Sequence, residues 1–231
     1  MKKATYFFAT MLIFLSSCAV YYPQPIDIPL ISEKGDLRID AGGFIVPGAL
    51  GGHSTISYGI TDILAAQMYA SFDLAGGVHL QFAPGLFKHF ENDVVIELYS
   101  GYGIGNTIIN SFASAFGHRV GYQLAFSQFN IGQVRANFDY GFGLKGGYAF
   151  GFDEIFDHET NRRLIRKNGW LVEPSAMIRF GSERVRYKAQ VGFLWTQTKP
   201  VQNYLPLSLS FGVNINLNTR TSKTPRITNF D

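Results

Sequence analysis

From Leu205 to Leu217 the chain reads Leu-Pro-Leu-Ser-Leu-Ser-Phe-Gly-Val-Asn-Ile-Asn-Leu, apolar at every odd position and small, polar or proline at every even one. Successive side chains of a strand point to opposite faces. The stretch therefore predicts a strand with one hydrocarbon face and one face carrying Ser208, Ser210, Gly212, Asn214 and Asn216. A tilted strand needs about 9–11 residues to cross a bilayer, and this alternation runs longer than that. The period recurs. In one stretch Phe138, Tyr140, Phe142, Leu144, Tyr148 and Phe150 oppose Asn137, Asp139, Gly141, Gly143 and Lys145. In another Val185, Tyr187, Ala189, Val191, Phe193 and Trp195 oppose Arg186, Lys188, Gln190 and Thr196.

Ten such strands are predicted, at 36–46, 53–60, 63–74, 77–90, 94–104, 120–133, 136–150, 169–180, 185–198 and 205–217. Their connectors alternate in length. Thr61-Asp62, Glu91-Asn92-Asp93, Val134-Arg135 and Gly181-Ser182-Glu183-Arg184 are tight turns, while the links at 104–119 and 151–168 are long. Short turns on one side and long loops on the other suit a bacterial membrane barrel with an even strand number. The predicted fold is all-β, a closed antiparallel transmembrane barrel of ten strands spanning 36–217, with eight as the alternative. Rings gather at both ends of the strands: Tyr102, Tyr122, Tyr148, Phe150, Trp170 and Trp195 towards the loops, and Tyr58, Phe90, Phe138, Tyr140, Phe180 and Tyr187 towards the turns. Amphipathic rings settle in this way at the headgroup level. In the sixth strand Val120, Tyr122, Leu124 and Phe126 keep one parity and Phe129 and Ile131 take the other, which predicts a bulge near Ser127 or Gln128.

Composition sharpens this picture. The 231 residues are 46% hydrophobic and 15% aromatic but only 16% charged, which excludes a disordered chain. Residues 1–17 read as a removable signal peptide, with Lys2 and Lys3 ahead of the apolar stretch Ala4–Leu15. Loss of those two lysines takes the formal charge from +3 to +1, and nothing indicates nucleic-acid binding. Cys18 is the single cysteine, so it has no disulfide partner. Leu15-Ser16-Ser17-Cys18 resembles the lipobox of bacterial lipoproteins, which implies acylation of Cys18, by palmitate or a similar chain. An ordinary secretory signal with an incidental cysteine is the alternative. Residues 18–35, with Pro23, Pro25 and Pro29, read as a lipidated, extended tether, and 218–231 as a polar periplasmic tail.

Tyr22-Pro23 and Pro29-Leu30-Ile31-Ser32-Glu33-Lys34-Gly35-Asp36 resemble the entry segment of small outer-membrane β-barrel lipoproteins of Bacteroidota. The resemblance implies a lipid-anchored barrel in the outer membrane of a Gram-negative bacterium, and for most such proteins no chemistry. Ser210–Leu217 also looks like the terminal signal read by the barrel assembly machinery, although 218–231 follow it.

By parity Arg38, Asp40, Asp73, Glu97, Asp139, Lys145, Glu173, Arg179, Arg186 and Lys188 face inward, five acids with five bases. A ten-stranded lumen is only a little wider than one that side chains fill, so these groups are expected to plug it with ion pairs. Arg179, Arg186, Lys188, Asp40, Glu97 and Asp139 are expected to form one network near the turn side. A narrow selective pore lined by the same groups is the alternative. Asp73 and His79 point inward at one hairpin, and carboxylates with histidines at the outer mouth of ten strands are similar in plan to the omptin proteases. No omptin motif is present, and Asp157-His158 lies in a loop. An omptin-like or lipid-modifying surface enzyme is therefore the further alternative. No ligand spacing recurs among His53, His79, His118 and His158, so neither a metal nor any other cofactor is expected. Arg162, Arg163, Arg166 and Lys167 form a basic limb shaped for phosphate and are candidates for lipopolysaccharide contact. The expected role is structural or interactive, without catalysis, through the long loops and towards membrane lipid and an unknown protein partner.

Overall fold

The computed structural model describes residues 24–46, 49–74, 76–110, 117–155, 163–196 and 207–217, with the backbone alone at 107–110, 117–120, 152–155 and 163–167. Its strands are β1 (Leu37–Val46), β2 (Ala49–Gly59), β3 (Leu64–Asp73), β4 (Val78–His89), β5 (Val94–Asn110), β6 (Gly117–Val134), β7 (Phe138–Ile155), β8 (Arg163–Gly181), β9 (Val185–Phe193), β10 (Trp195–Thr196) and β11 (Leu207–Asn216). All pair antiparallel with their neighbours, and β1 with β11 closes the wall, Arg38 opposite Asn216 and Ile45 opposite Leu209. β9 and β10 are one stave, because both lie along β8 in a single register, Gly192 opposite Ser175 and Trp195 opposite Val172. The barrel therefore has ten staves. Followed around the wall, the registers return to β1 displaced by about 12 residues, which tilts the strands by roughly 40° and makes a backbone wall roughly 19 Å across.

The tight turns gather at one end, closed by Ile60 N–H to Leu64 O (2.8 Å), Phe90 N–H to Val94 O (2.9 Å), Arg135 N–H to Phe138 O (3.2 Å) and Ser182 N–H to Val185 O (3.0 Å). At the other end the wall is uneven. β1 to β4 have 10, 11, 10 and 12 residues, whereas β5 to β8 have 17, 18, 18 and 19. Pairing of β5 with β6 runs to Asn110 opposite Gly117, and of β7 with β8 to Ile155 opposite Arg163. The stretches 104–119 and 151–168, expected as loops, are thus for most of their length hairpins standing above the mouth. A ribbon beyond the bilayer has no hydrocarbon face to fill, so alternation does not mark it.

The apolar face of the staves looks outward: Phe142, Leu209 and Val191 are exposed, as are Phe211 and Trp170 at 59% each. All ten inward charges lie in the interior, none more than 7% exposed. The turn-side rings Tyr58, Phe90, Phe138, Tyr140, Phe180 and Tyr187 form an exposed belt, and Tyr102, Phe150, Trp170 and Trp195 form the loop-side one. Tyr148 packs edge-on between Phe150 (4.8 Å) and Trp170 (5.0 Å).

Three expectations are corrected. β6 has no bulge: its register is unbroken on both sides, Ser127 opposite Ser100 and Gly146. Instead Tyr122, Leu124 and Phe126 face the lumen, each 5% exposed or less, so Tyr122 is not part of the outer belt. Outward on that stretch are Gln123 and Ser127, bonded to Tyr102 OH (2.7 Å) and Ser100 Oγ (2.9 Å). Finally, residues 24–31 are extended but are no external tether. They run inside the barrel, every one of them buried, before 32–36 turn over the turn-side rim into β1.

Candidate functional site

The interior is the site. Residues 24–31 descend it from the loop-side half, where Gln24 Oε1 accepts from Tyr69 OH (2.9 Å) and Ser71 Oγ (2.6 Å). Among the described residues, the main chain of 24–31 makes no backbone-to-backbone hydrogen bond. Its polar atoms meet side chains from the wall instead, as buried backbone groups require. Gln190 Nε2 donates to Ile26 O (2.6 Å) and Gln128 Nε2 to Asp27 O (2.6 Å). Pro29 O accepts from Arg38 Nη1 (2.8 Å) and Arg179 Nη2 (3.2 Å), and Ile31 N–H donates to Glu97 Oε1 (2.7 Å). Ser57 Oγ donates to the Asp27 carboxylate at 3.2 Å.

The apolar side chains of the segment sit where the wall carries glycine. A Cβ on Gly143 would stand 3.1 Å from Ile28 Cγ1, one on Gly141 3.0 Å from Ile28 Cγ2, and one on Gly132 2.8 Å from Leu30 Cδ1. Any side chain there would compete with the segment for the same volume. Leu30 has φ of 56°, a left-handed backbone that costs a leucine about 1–2 kcal/mol and persists only where the surroundings impose it.

The inward charges form several groups and not the single network expected. Asp139 pairs with Arg179 (3.3 Å) and with Arg186, whose Nη2 also donates to Arg135 O (2.8 Å). Asp40 holds Lys188 (2.5 Å) and His53 (3.2 Å). Glu97 is not a member of either pair set: beyond Ile31 it accepts from Asn130 Nδ2 (2.9 Å) and Tyr99 OH (3.3 Å). Lys145 lies 3.6 Å from Glu173, donates to Gln81 Oε1 (2.9 Å) and stands 4.8 Å above the Phe126 ring. At the turn-side rim Arg38 grips Asp36 at 3.0 Å. Burial alone would raise the Asp36 carboxyl, but the Arg38 guanidinium and the Ser32 donors outweigh it and hold the group below the ordinary carboxylate range. A cavity of about 360 Å³ opens beside this rim, between Ser32, Arg38, Arg135, Glu183, Arg186 and Asn216.

Towards the loops the filling changes to hydrocarbon, where Tyr122, Leu124, Phe126, Ala149, Leu171 and Leu194 pack together. His79 and His53 are wall residues buried in the loop-side half, and His79 Nδ1 is 2.5 Å from Tyr122 OH. Among the described residues no group of three His, Cys, Asp or Glu is placed to hold a metal ion. Cys18, Arg162, His158 and the tail 218–231 lie outside the described residues, and Arg163, Arg166 and Lys167 fall on the raised part of β8.

Sequence reasoning missed Gln24, Asp27, Gln128, Asn130 and Gln190. A signal was present: Ile26, Ile28 and Leu30 alternate with Asp27 and Pro29, and glycines recur on the inward parity of β6 and β7. A hydrophobic alternation ahead of the first stave and a wall of inward glycines are the two halves of one contact.

No protein-family model matches this chain, and no curated protein matches it. Among solved structures it is similar to the outer membrane protease OmpT from Escherichia coli, with a TM-score of 0.58 at 8% identity, over 78% of this chain and 96% of that one. The NanC porin aligns with a TM-score of 0.39 at 10% identity (78% and 98% of the two chains), and the KdgM porin with 0.34 at 8% (77% and 98%). The fold is that of an outer-membrane β-barrel.

Proposed function

We propose that this chain is a lipid-anchored outer-membrane β-barrel, closed by its own N-terminal segment, that works by contact and not by catalysis. The observation that carries the reading is the filled interior: residues 24–31 are buried, and wall side chains from β1, β5, β6, β8 and β9 bond their main chain. An ion crossing this lumen would have to displace both that segment and the Leu124 cluster. The lipid-facing residues and the two aromatic belts support residence in a bilayer, and the Leu-Ser-Ser-Cys pattern supports acylation at Cys18. Ser210–Leu217 supplies the signal for insertion by the assembly machinery. Contacts are made through the raised β5–β6 and β7–β8 hairpins, with Arg162, Arg163, Arg166 and Lys167 offered to lipopolysaccharide phosphates. A hydrolase reading has no comparable support, since His79 is fully buried and its Nδ1 is engaged by Tyr122.

Planar bilayer recording tests the reading. The intact protein is expected to show no discrete conductance, and a variant lacking residues 24–31 is expected to show steps. Steady conductance from the intact protein would overturn it.

A further inference from the structure

We infer that the lumen is a peptide-binding tunnel, and that residues 24–31 occupy it as an exchangeable ligand in cis. The inference rests on the plugged-barrel reading and adds what the lumen recognises: an extended peptide of the pattern apolar-acid-apolar-proline-apolar.

A chain segment folded as part of a wall is held by strand pairing, and among the described residues this one makes no backbone-to-backbone bond. It is held the way a groove holds a bound peptide, by side chains from many directions that converge on main-chain atoms. Gln190, Gln128, Arg38 and Arg179 present donors to three carbonyls of the inward path, those of Ile26, Asp27 and Pro29, and Glu97 presents an acceptor to Ile31 N–H. Such contacts read extended backbone irrespective of sequence. Selectivity comes from three further features: the glycine sockets at 141, 143 and 132 for Ile28 and Leu30, Ser57 for the carboxylate of Asp27, and the Tyr69 and Ser71 hydroxyls for the Gln24 amide. The left-handed Leu30 shows the wall dictating the conformation of its occupant.

The link to β1 is short. Residues 32–36 cross the rim through Gly35 N–H to Gly59 O (2.7 Å), Gly59 N–H to Asp36 O (2.9 Å) and the Asp36 bonds to Ser32 and Arg38, with Lys34 exposed between them. Covalent connection keeps the local concentration of the segment at the millimolar level, so the cis ligand outcompetes any dilute peptide until that connection is cut or weakened.

The experiment cuts it. A site-specific protease sequence is inserted between Lys34 and Gly35 of the full chain, the protein is folded in detergent micelles and cleaved, and a fluorescent synthetic peptide of residues 24–34 is added. The cleaved barrel is expected to take up the peptide and the uncleaved one to refuse it. A peptide carrying Asp at both 28 and 30 is expected to bind at least tenfold more weakly. A full-length Ile28→Asp variant provides the same test without cleavage: its weakened cis ligand should admit the labelled wild-type peptide where the parent does not. Uptake of neither peptide by a barrel still folded on gels, or equal uptake of both, overturns the inference. Failure of the plugged-barrel reading is separate and shows earlier, as conductance of the intact, uncut protein.

Discussion

Along β9, β11, β1 and β2 the lumen is polar for most of its height, from Arg186, Lys188 and Asn214 through Asp40 and Ser57 to Gln190, His53 and Ser208, with Phe44 and Val46 of β1 buried near the loops. The wall of β5 to β8 starts in the same way near the turns, with Glu97, Asn130, Asp139 and Arg179, but ends in Tyr122, Leu124, Phe126, Ala149 and Leu171. The hydrocarbon half is filled chiefly by side chains from facing staves, which Ile31 of the inner segment joins at its edge. The polar half cannot be filled in that way. Each buried donor or acceptor left unmatched costs about 1–3 kcal/mol, and staves this far apart cannot bring all of them into direct contact. Residues 24–31 supply the missing carbonyls, a carboxylate and an N–H. A segment in the lumen is thus the consequence of lining part of a ten-stranded barrel with polar groups.

If that division is right, the heaviest loss comes from the polar half. Asp139→Ala leaves Arg179 and Arg186 buried without their carboxylate, and should lower the unfolding free energy by about 3–5 kcal/mol. Urea unfolding in micelles, followed by Trp170 and Trp195 fluorescence, measures it. A change below 1 kcal/mol would mean that these charges are solvated and the lumen is wet, since exposed pairs are worth about 0–1 kcal/mol.

The hydrocarbon half is tested next. Leu124→Ala should cost about 2–4 kcal/mol as a core cavity, whereas Gln123→Leu on the outward face should be tolerated. The opposite ranking would restore the bulge that the sequence pattern suggests and would turn β6 inside out.

That strand marks the limit of what the sequence discloses. Alternation tells one face from the other only where the faces differ, and it serves well along 138–150, 185–195 and 207–217, where outward rings and aliphatics oppose glycines and polar or charged residues. In β6 Leu124 and Phe126 look inward while Phe129 and Ile131 look outward, so both faces hold apolar residues, and period two has no way to say which meets lipid. The charged interior was legible as a set of inward residues. Its partition was not: Glu97 bonds Ile31, 66 positions away, and Arg179 bonds Pro29, 150 positions away, through contacts that only closure of the barrel creates. Pro25 and Pro29 carry no mark that separates an external tether from an inner segment, because an extended chain has the same local signature in water and in a tunnel.

A smaller effect is expected where the two halves share a wall. Gly143 faces the lumen on β7, below Gly147, Ala149 and the hydrocarbon cluster, and its missing Cβ leaves room for Ile28. Gly143→Val should cost about 1–3 kcal/mol by overpacking and, because the segment is the softer partner, should also raise conductance. Instability with no current would show the segment holding its place and the wall yielding.

The smallest change is at the rim, and it carries a pH signature. The Asp36 carboxyl lies below its ordinary range in the folded protein, held there by Arg38 against the effect of burial. Its contribution to stability is therefore complete above the unfolded-state value, about pH 3.9, and is lost as pH falls through the lower folded-state value. Asp36→Asn keeps an acceptor for Ser32 and Arg38 but removes the charge, and should cost about 1–1.5 kcal/mol at neutral pH. The gap between wild type and variant should begin to narrow below about pH 4 and close only as pH falls through the lower folded-state value, where the wild-type carboxyl is itself neutralised. Paired urea titrations at pH 7 and pH 3 read that narrowing directly. A gap that stays constant across the range would assign the loss to altered packing of 32–36 and not to the ion pair that seats the segment at the mouth of the barrel.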